Sequence, residues 1–598
     1  MAEIVVLSAP IGHRESGLQL ACLAAIAKED GWAIAYSAGE TPHLIVLTGG
    51  TQTTQVHTPP HGRLVLLGEW ISDQTLLEAT ARTHEPLEFC RRLTDRGWGR
   101  YLALLLTPGA GLTGVYRDPS GALDCFVTDL DGVTVIATVL PAWLISSHPG
   151  RWRPDWDRVF DLLNDPTQVT GASAVEGWTS VMPGTFQPVA REPGQCSTPV
   201  WTPAGIASQS AAPIEDAKRS LVQAVDRAVS GLAGGVEGCL VEVSGGLDSA
   251  IVATAVDRQH NLSAMTLVNY HGPYAEADER PYASSVAERI RKPLLAMERG
   301  PPLQIASAWI GDRWGFRPGF QRLDPGYDTA QAALAQDLGQ TRIMTGKGGD
   351  AVFFQHCTPL VFADVMARQG PLSLFDLRLV DTARWCRQSV WSVGAAAFRS
   401  LTQARRGRAV SGRPPLPFVN SELQSGSVHP WLADLDGITP AKRMQIAALA
   451  SNIGLHGPTA QADVCDVVHP LLSQPVLEAA LAIPTIDLTE GGRDRGLARG
   501  VFADRLPDDI RLRRTKGSLA QYFGEAIMNG LPELRPFLLE GQLAQRGYID
   551  RAKLEAALTA DVLIWKAVYG DVMLLVMIEA WVRGWSQPGP VSPSLGAR

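Results

Sequence analysis

Residues 238–257 read GCLVEVSGGLDSAIVATAVD: an apolar run, a turn of serines, glycines and an aspartate, then a second apolar run that reads as helix. A strand entering a helix through so tight a turn constrains this chain more than any other feature. Gly245 and Gly246 keep side chains away, so successive backbone N–H groups can face one anion, and the positive end of the helix adds to the same site. Ser244 and Ser249 offer hydroxyl donors. Asp248 repels phosphate unless a cation lies between them, so its expected task is to hold Mg2+ against phosphate oxygens. The competing reading is a plain strand–helix connection with an Asp/Ser cap. The turn lacks the Gly-Lys-Ser/Thr ending that brings lysine to the β and γ phosphates. It fits a pyrophosphate with its metal, and cleavage of ATP between the α and β phosphates.

Two later stretches extend this reading. TRIMTGKGGDAVFF (341–354) is another strand running into a glycine turn, with Gly346, Lys347, Gly348, Gly349 and Asp350. Aspartates on two neighbouring strand ends make a plausible magnesium clamp, so Asp248 and Asp350 are the candidate metal ligands. In LPDDIRLRRTKGSLA (506–520), Arg511, Arg513, Arg514 and Lys516 precede a glycine, as in a loop that folds over an anion. Lys516 is placed to neutralise charge as an acyl carbon is attacked and AMP departs. The bland alternatives are a second exposed Gly/Asp turn and a solvated basic patch. Asp278 and Glu279 are weaker candidates that open a helix. His271, His356 and His469 are isolated in sequence and read as structural.

The surrounding chain divides in two. Up to about residue 200, short apolar runs such as EIVVLS, HLIVLT and YLALLLT alternate with turn residues, which points to a mostly β domain. A Pro/Ser/Gly/Gln-rich stretch follows, and 201–213 is assigned as the linker. From Ile214 helical spacing alternates with strands, the mark of an α/β domain with a parallel sheet, extended by helices beyond residue 360. The domains are therefore 1–200, 214–585, and an expected disordered tail at 586–598. The length of 598 residues suits two to four domains. A net charge of -8 lacks the basic balance of a general nucleic-acid binder. The eight cysteines have no metal-knuckle or CxxC spacing. The most apolar late run, 561–585, is interrupted by Lys566 and Asp571 and reads as one or two buried helices rather than a membrane span. No signal-peptide pattern opens the sequence, and the protein is expected to be cytoplasmic.

The three stretches, in this order, resemble the synthetase domain of the asparagine synthetase family, which has an SGGxDS loop, a GxGGD turn and an RxKG segment. The last is present as Arg514, Thr515, Lys516 and Gly517. VVHPLLSQPVLEAALAIP (467–484) is similar to the family's late PFLD region, with Ser473 where the aspartate usually stands. RGWGRYLALLL, GVYRDPSGALDCFV and EGWTSVMPGT resemble the family's glutaminase domain. The resemblance implies a fold class of α+β and α/β. An Ntn-hydrolase-like β-rich sandwich would precede an adenine nucleotide α-hydrolase-like (ATP pyrophosphatase) parallel-sheet domain with helical additions. It implies ATP and Mg2+ as cofactors. Ser244, Gly245, Gly246, Asp248, Ser249, Gly346, Gly348 and Gly349 would bind the nucleotide, and Lys516, Lys347 and Arg514 would act in catalysis.

One departure narrows the expected reaction. The family's active glutaminases begin with a catalytic cysteine after Met1 is removed, whereas position 2 here is Ala2 and the nearest cysteine is Cys22. Without that thiol the amide-hydrolysing nucleophile is absent, and the amine is expected to come from the substrate. β-Lactam synthetases and lasso peptide cyclases work this way. The HPLLSQP form is more similar to the cyclases, and Lys347 matches neither the Glu of asparagine synthetases nor the Tyr of β-lactam synthetases. The resemblance thus implies a macrolactam synthetase that joins an Asp or Glu side chain of a lasso precursor peptide to its own N-terminus. Its partners would be the precursor, a leader peptidase and a leader-binding protein, with no nucleic acid. The alternatives are an asparagine or β-lactam synthetase-like small-molecule ligase, and a non-catalytic peptide-presenting scaffold.

Overall fold

The computed structural model describes residues 3–39, 41–50, 54–59, 62–72, 85–189, 196–209, 211–259, 264–300, 315–405, 415–423, 425–566 and 568–586. The tail beyond 586 lies outside the described residues.

The N-terminal apolar runs form two antiparallel six-stranded sheets. In one, Glu3–Ser8 pairs with Leu44–Gly49 and Val133–Ala137. In the other, Trp98–Thr107 pairs with Leu64–Ile71 and Gly111–Arg117. Ile4, Val6, Leu44 and Val46 of the first sheet face Val65, Leu67, Leu102 and Leu104 of the second. The alternate residues Val5, Leu7, Ile45 and Leu47 meet the helix Arg14–Glu29, and Leu64, Leu66, Tyr101 and Ala103 meet Pro86–Arg96. Both faces of the central strands are therefore covered. That is why their sequences run continuously apolar instead of alternating.

The C-terminal part is built on a parallel five-stranded sheet in the order Leu294–Glu298, Ala264–His271, Gly238–Glu242, Arg342–Met344, Asp466–Val468. The first strand of the sequence lies at its centre. The chain steps outward on one side, then returns to pair Arg342–Met344 on the other, so the strand order reverses between these two strands. In open parallel sheets such a switch point opens a crevice at the strand ends, where ligands bind. The helix Leu247–Asp257, which follows the central strand, is buried on every side from Leu247 to Val256. It accordingly has no polar face.

The two parts share their cores. Trp98 and Trp201 join the cluster beneath the parallel sheet. The helices Ala520–Leu539 and Tyr569–Ser586 share a cluster with the outer face of the first N-terminal sheet, where Phe316 stacks on Phe126 at 4.0 Å between centroids. The late apolar run is thus two helices, Ala560–Lys566 and Tyr569–Ser586, and no described helix is long and apolar enough to cross a membrane. The stretch 201–213 is partly packed, for Trp201 is buried and its Nε1 donates to Glu478 at 2.9 Å. Arg100 clamps the parts together with two 2.8 Å hydrogen bonds to Asp466.

Candidate functional site

The two glycine turns lie side by side at the switch point. Gly245 takes a φ of +77° and Gly348 a φ of +92°, a region that side chains disfavour. Gly346 answers a different need. A Cβ there would lie 2.4 Å from the Ser249 nitrogen and 2.7 Å from the Asp248 carbonyl carbon. One at Gly349 would lie 2.4 Å from the Asp248 carboxyl carbon. The second turn therefore crosses the first backbone to backbone. Within the first turn, Ser249 Oγ accepts from the Ser244 N–H at 3.1 Å and donates to the Gly246 carbonyl at 3.1 Å, which fixes the loop.

This crossing brings the two candidate metal ligands together. Asp248 Oδ2 and Asp350 Oδ1 accept from the same nitrogen, Arg495 Nη1, at 2.7 and 2.6 Å. Burial pushes the Asp248 carboxyl up to about 7, with Arg495 opposing and Asp350 reinforcing the rise. Burial works the same way on Asp350. There Lys516, 3.1 Å away, and Arg495 outweigh it and hold the carboxyl below its ordinary value. Lys516 and Asp350 are each about half exposed. Their ion pair is worth at most about 1 kcal/mol.

The basic stretch closes over the first turn through Arg513. Arg513 Nη1 donates to the Gly245 carbonyl at 3.0 Å, pairs with Glu279 at 2.6 Å, and lies over the Tyr282 ring at 3.6 Å. Arg514 is exposed. Glu279 also accepts from the Gly517 N–H, so it fastens both ends of the RTKG loop. Asp278 instead pairs with Arg280. Lys347 lines a cavity between the two parts of the chain. Beneath the second turn, Leu472 packs so closely that a Cβ at Gly348 would meet it at 2.5 Å. Ser473 is buried at the start of the helix Gln474–Ala482.

Sequence reading missed Arg495. It sits in GGRDRGLARG as one arginine of a charged loop, held at a φ of +52°. It is buried and also pairs with Asp494 at 2.9 Å. Its only sequence signal is that both aspartates need a cation.

The donor set suits a hard cation, because Asp248 Oδ1 is buried without a partner beside a second carboxylate. Among the described residues no third His, Cys, Asp or Glu joins them, so remaining ligands would be phosphate oxygens and water. A profile of the asparagine synthase family matches residues 217–583, which include both turns, Arg495 and Lys516. The chain belongs to the asparagine synthase family. Membership makes ATP the nucleotide and ATP-dependent amide ligation the activity class. No curated protein matches the sequence. The solved structure of an allosteric regulatory enzyme of purine biosynthesis is 11% identical, over 50% of this chain and 81% of that one, with a TM-score of 0.20. A score so low carries no argument. In this asparagine synthase-family chain the first glycine turn and the strand switch point coincide, the place where ligands enter open parallel sheets.

Proposed function

We propose that the protein is an ATP-dependent macrolactam synthetase, which activates an Asp or Glu side chain of a lasso precursor peptide and joins it to the peptide's N-terminal amine. The observation that supports it most is the meeting of Asp248 and Asp350 on one arginine nitrogen, with Lys516 alongside. Mg2+, when bound, would sit with these two carboxylates and shield the charge of the phosphates. The first turn binds the nucleotide. The substrate carboxylate attacks the α-phosphorus, pyrophosphate leaves, and Lys516 stabilises the charge that develops as the amine displaces AMP. A folded peptide already holds its amine near the acyl carbon, which removes much of the entropic barrier.

The N-terminal unit serves in this reading as a degenerate class II glutaminase-like domain of the Ntn-hydrolase type. Its Cys90 and Cys125 are buried, and burial pushes both thiols well up, Cys125 to about 12. Neither is a nucleophile. Cys22 faces solvent on the helix Arg14–Glu29. In this reading the amine arrives with the substrate. A leader peptidase and a leader-binding protein are the partners that would supply a trimmed precursor in the cytoplasm.

The test is incubation with Mg-ATP and leader-free peptides that carry a free N-terminus and one Asp or Glu. Loss of one water from the peptide, with one AMP formed per ring, is expected. AMP formation that depends on ammonia and is indifferent to peptide would refute the proposal in favour of a small-molecule amide ligase.

A further inference from the structure

One face of the C-terminal part keeps large apolar side chains in solvent. Leu372, Phe375, Leu377 and Trp391 are 79%, 88%, 80% and 84% exposed, and Leu374 and Phe398 are exposed as well. They come from two stretches: the turn Pro371–Phe375 with the start of the helix Leu377–Cys386, and the helix Val390–Arg405. On that second helix Val393 and Ala397 are buried in a cluster with Phe362, Val365 and Met366. Trp391 and Phe398 lie two turns apart and so share another side of it, with Gly394 between them. A Cβ at Gly394 would meet Leu374 at 3.5 Å. The two stretches therefore abut, and the exposed side chains form one patch. An apolar patch of this kind marks a contact surface.

The charges that rim the patch are positive. Arg384 lies two turns beyond Leu377 on the same side of its helix, Arg387 stands in the turn that leads to Trp391, and Arg399 follows Phe398; all three are exposed. Asp376 is occupied by Arg378 at 2.5 Å, and Asp381 lines a cavity with Arg378 and Trp385. From Thr382 to Ser421 the sequence has seven arginines and no Asp or Glu, in a chain whose net charge is -8.

We propose that this face docks on an anionic lipid surface, with its aromatic and leucyl tips at the acyl boundary and its arginines at the headgroup phosphates. Side chains this exposed protrude and line no groove. A fluid interface moulds around them, whereas a folded partner needs pockets of matching shape. Aromatic tips with arginines beside them suit the boundary between water and bilayer. A second copy is disfavoured, because a two-fold contact sets the arginine rim against its own image. No described helix can cross a bilayer, so the docked face lies on the membrane and does not span it. The proposal is independent of the ligase reading, and its test needs no turnover.

The test is flotation of the full-length protein with phosphatidylcholine vesicles, with and without phosphatidylglycerol. Binding to the anionic vesicles that weakens as salt rises is expected, with little on phosphatidylcholine alone. Phe375→Ser/Trp391→Ser should weaken binding roughly a hundredfold, about tenfold per side chain. Arg384→Gln/Arg387→Gln/Arg399→Gln should weaken it by a similar factor, about fivefold per charge. Both sets change exposed residues and should leave the melting temperature unchanged. Absence of wild-type binding to either vesicle overturns the proposal. So does equal binding to both vesicles, or binding that neither variant diminishes. With vesicle binding absent, a wild-type dimer that Phe375→Ser/Trp391→Ser dissociates would assign the face to a second copy, and capture by polyglutamate that the arginine variant abolishes would assign it to an acidic protein.

Discussion

Gly346→Ala isolates the crossing of the two turns. The added Cβ would lie 2.4 Å from the Ser249 nitrogen, 2.6 Å from its Cα and 2.7 Å from the Asp248 carbonyl carbon. All three are backbone atoms, so no side chain can swing aside. Carbon contacts are comfortable at about 3.5–4.0 Å, so the turns must part by roughly 1 Å. Overpacking of this kind costs about 1–3 kcal/mol of stability. The larger loss falls on the chemistry: the same movement carries Asp248 away from Asp350, and a 1 Å misplacement costs about a hundredfold in rate. Thermal unfolding and AMP formation, measured on the same preparation, separate the two effects. Gly524→Ala is the control. That glycine lies inside the helix Ala520–Leu539 with open space around its Cβ position, so the change should stabilise by about 0.5–1 kcal/mol and leave activity intact. Wild-type melting and wild-type AMP formation by Gly346→Ala would refute the close crossing.

Other perturbations probe different parts of the account. Asp248→Asn keeps the shape of the side chain but removes the charge; it should abolish AMP formation while the protein still melts cooperatively, and retained turnover would refute the metal assignment. Arg100→Met leaves Asp466 and Glu69 with Arg342 as their remaining cation. Losing the charged hydrogen bonds of Arg100 should cost about 1.5–3 kcal/mol by denaturant titration, and a change within error would show that the clamp is dispensable. Lys442 is buried and bonded to Gln445 and the Ile483 carbonyl, and burial brings its ammonium down to about 7. The unfolded lysine titrates near 10.4. Between these values the unfolded chain binds the extra proton, so stability should rise with pH from about 7 to about 10. Lys442→Met should flatten that slope, and an unchanged slope would place its origin elsewhere.

The parts of the site that follow from local chemistry were legible in the sequence. The glycine turns, their flanking strands and the two aspartates are contiguous features, and two such turns in one chain make a plain capped connection less apt than either turn alone. The parts that depend on approach in three dimensions were not legible. Arg495 comes from a loop about 250 residues beyond Asp248 and looks like any surface arginine until the turns cross above it. Arg513 rather than Arg514 reaches Gly245, and an irregular loop has no periodicity to reveal that one-residue difference in phase. His469 looked isolated because its partner, His456, belongs to the segment NIGLHGPTA, which carries no motif. The strand runs were readable as strands. Their burial on both faces, and the sharing of one core between the N-terminal sandwich and the C-terminal helices through Phe316 and Tyr548, depend on long-range packing that local pattern does not encode.

The central claim is that Asp248 and Asp350 serve transfer of an adenylyl group to a substrate carboxylate. A peptide with 18O in its side-chain carboxylate tests it most directly. Turnover should place one labelled oxygen in the phosphate of AMP and leave pyrophosphate unlabelled. ADP as the product, or AMP free of label, would contradict it.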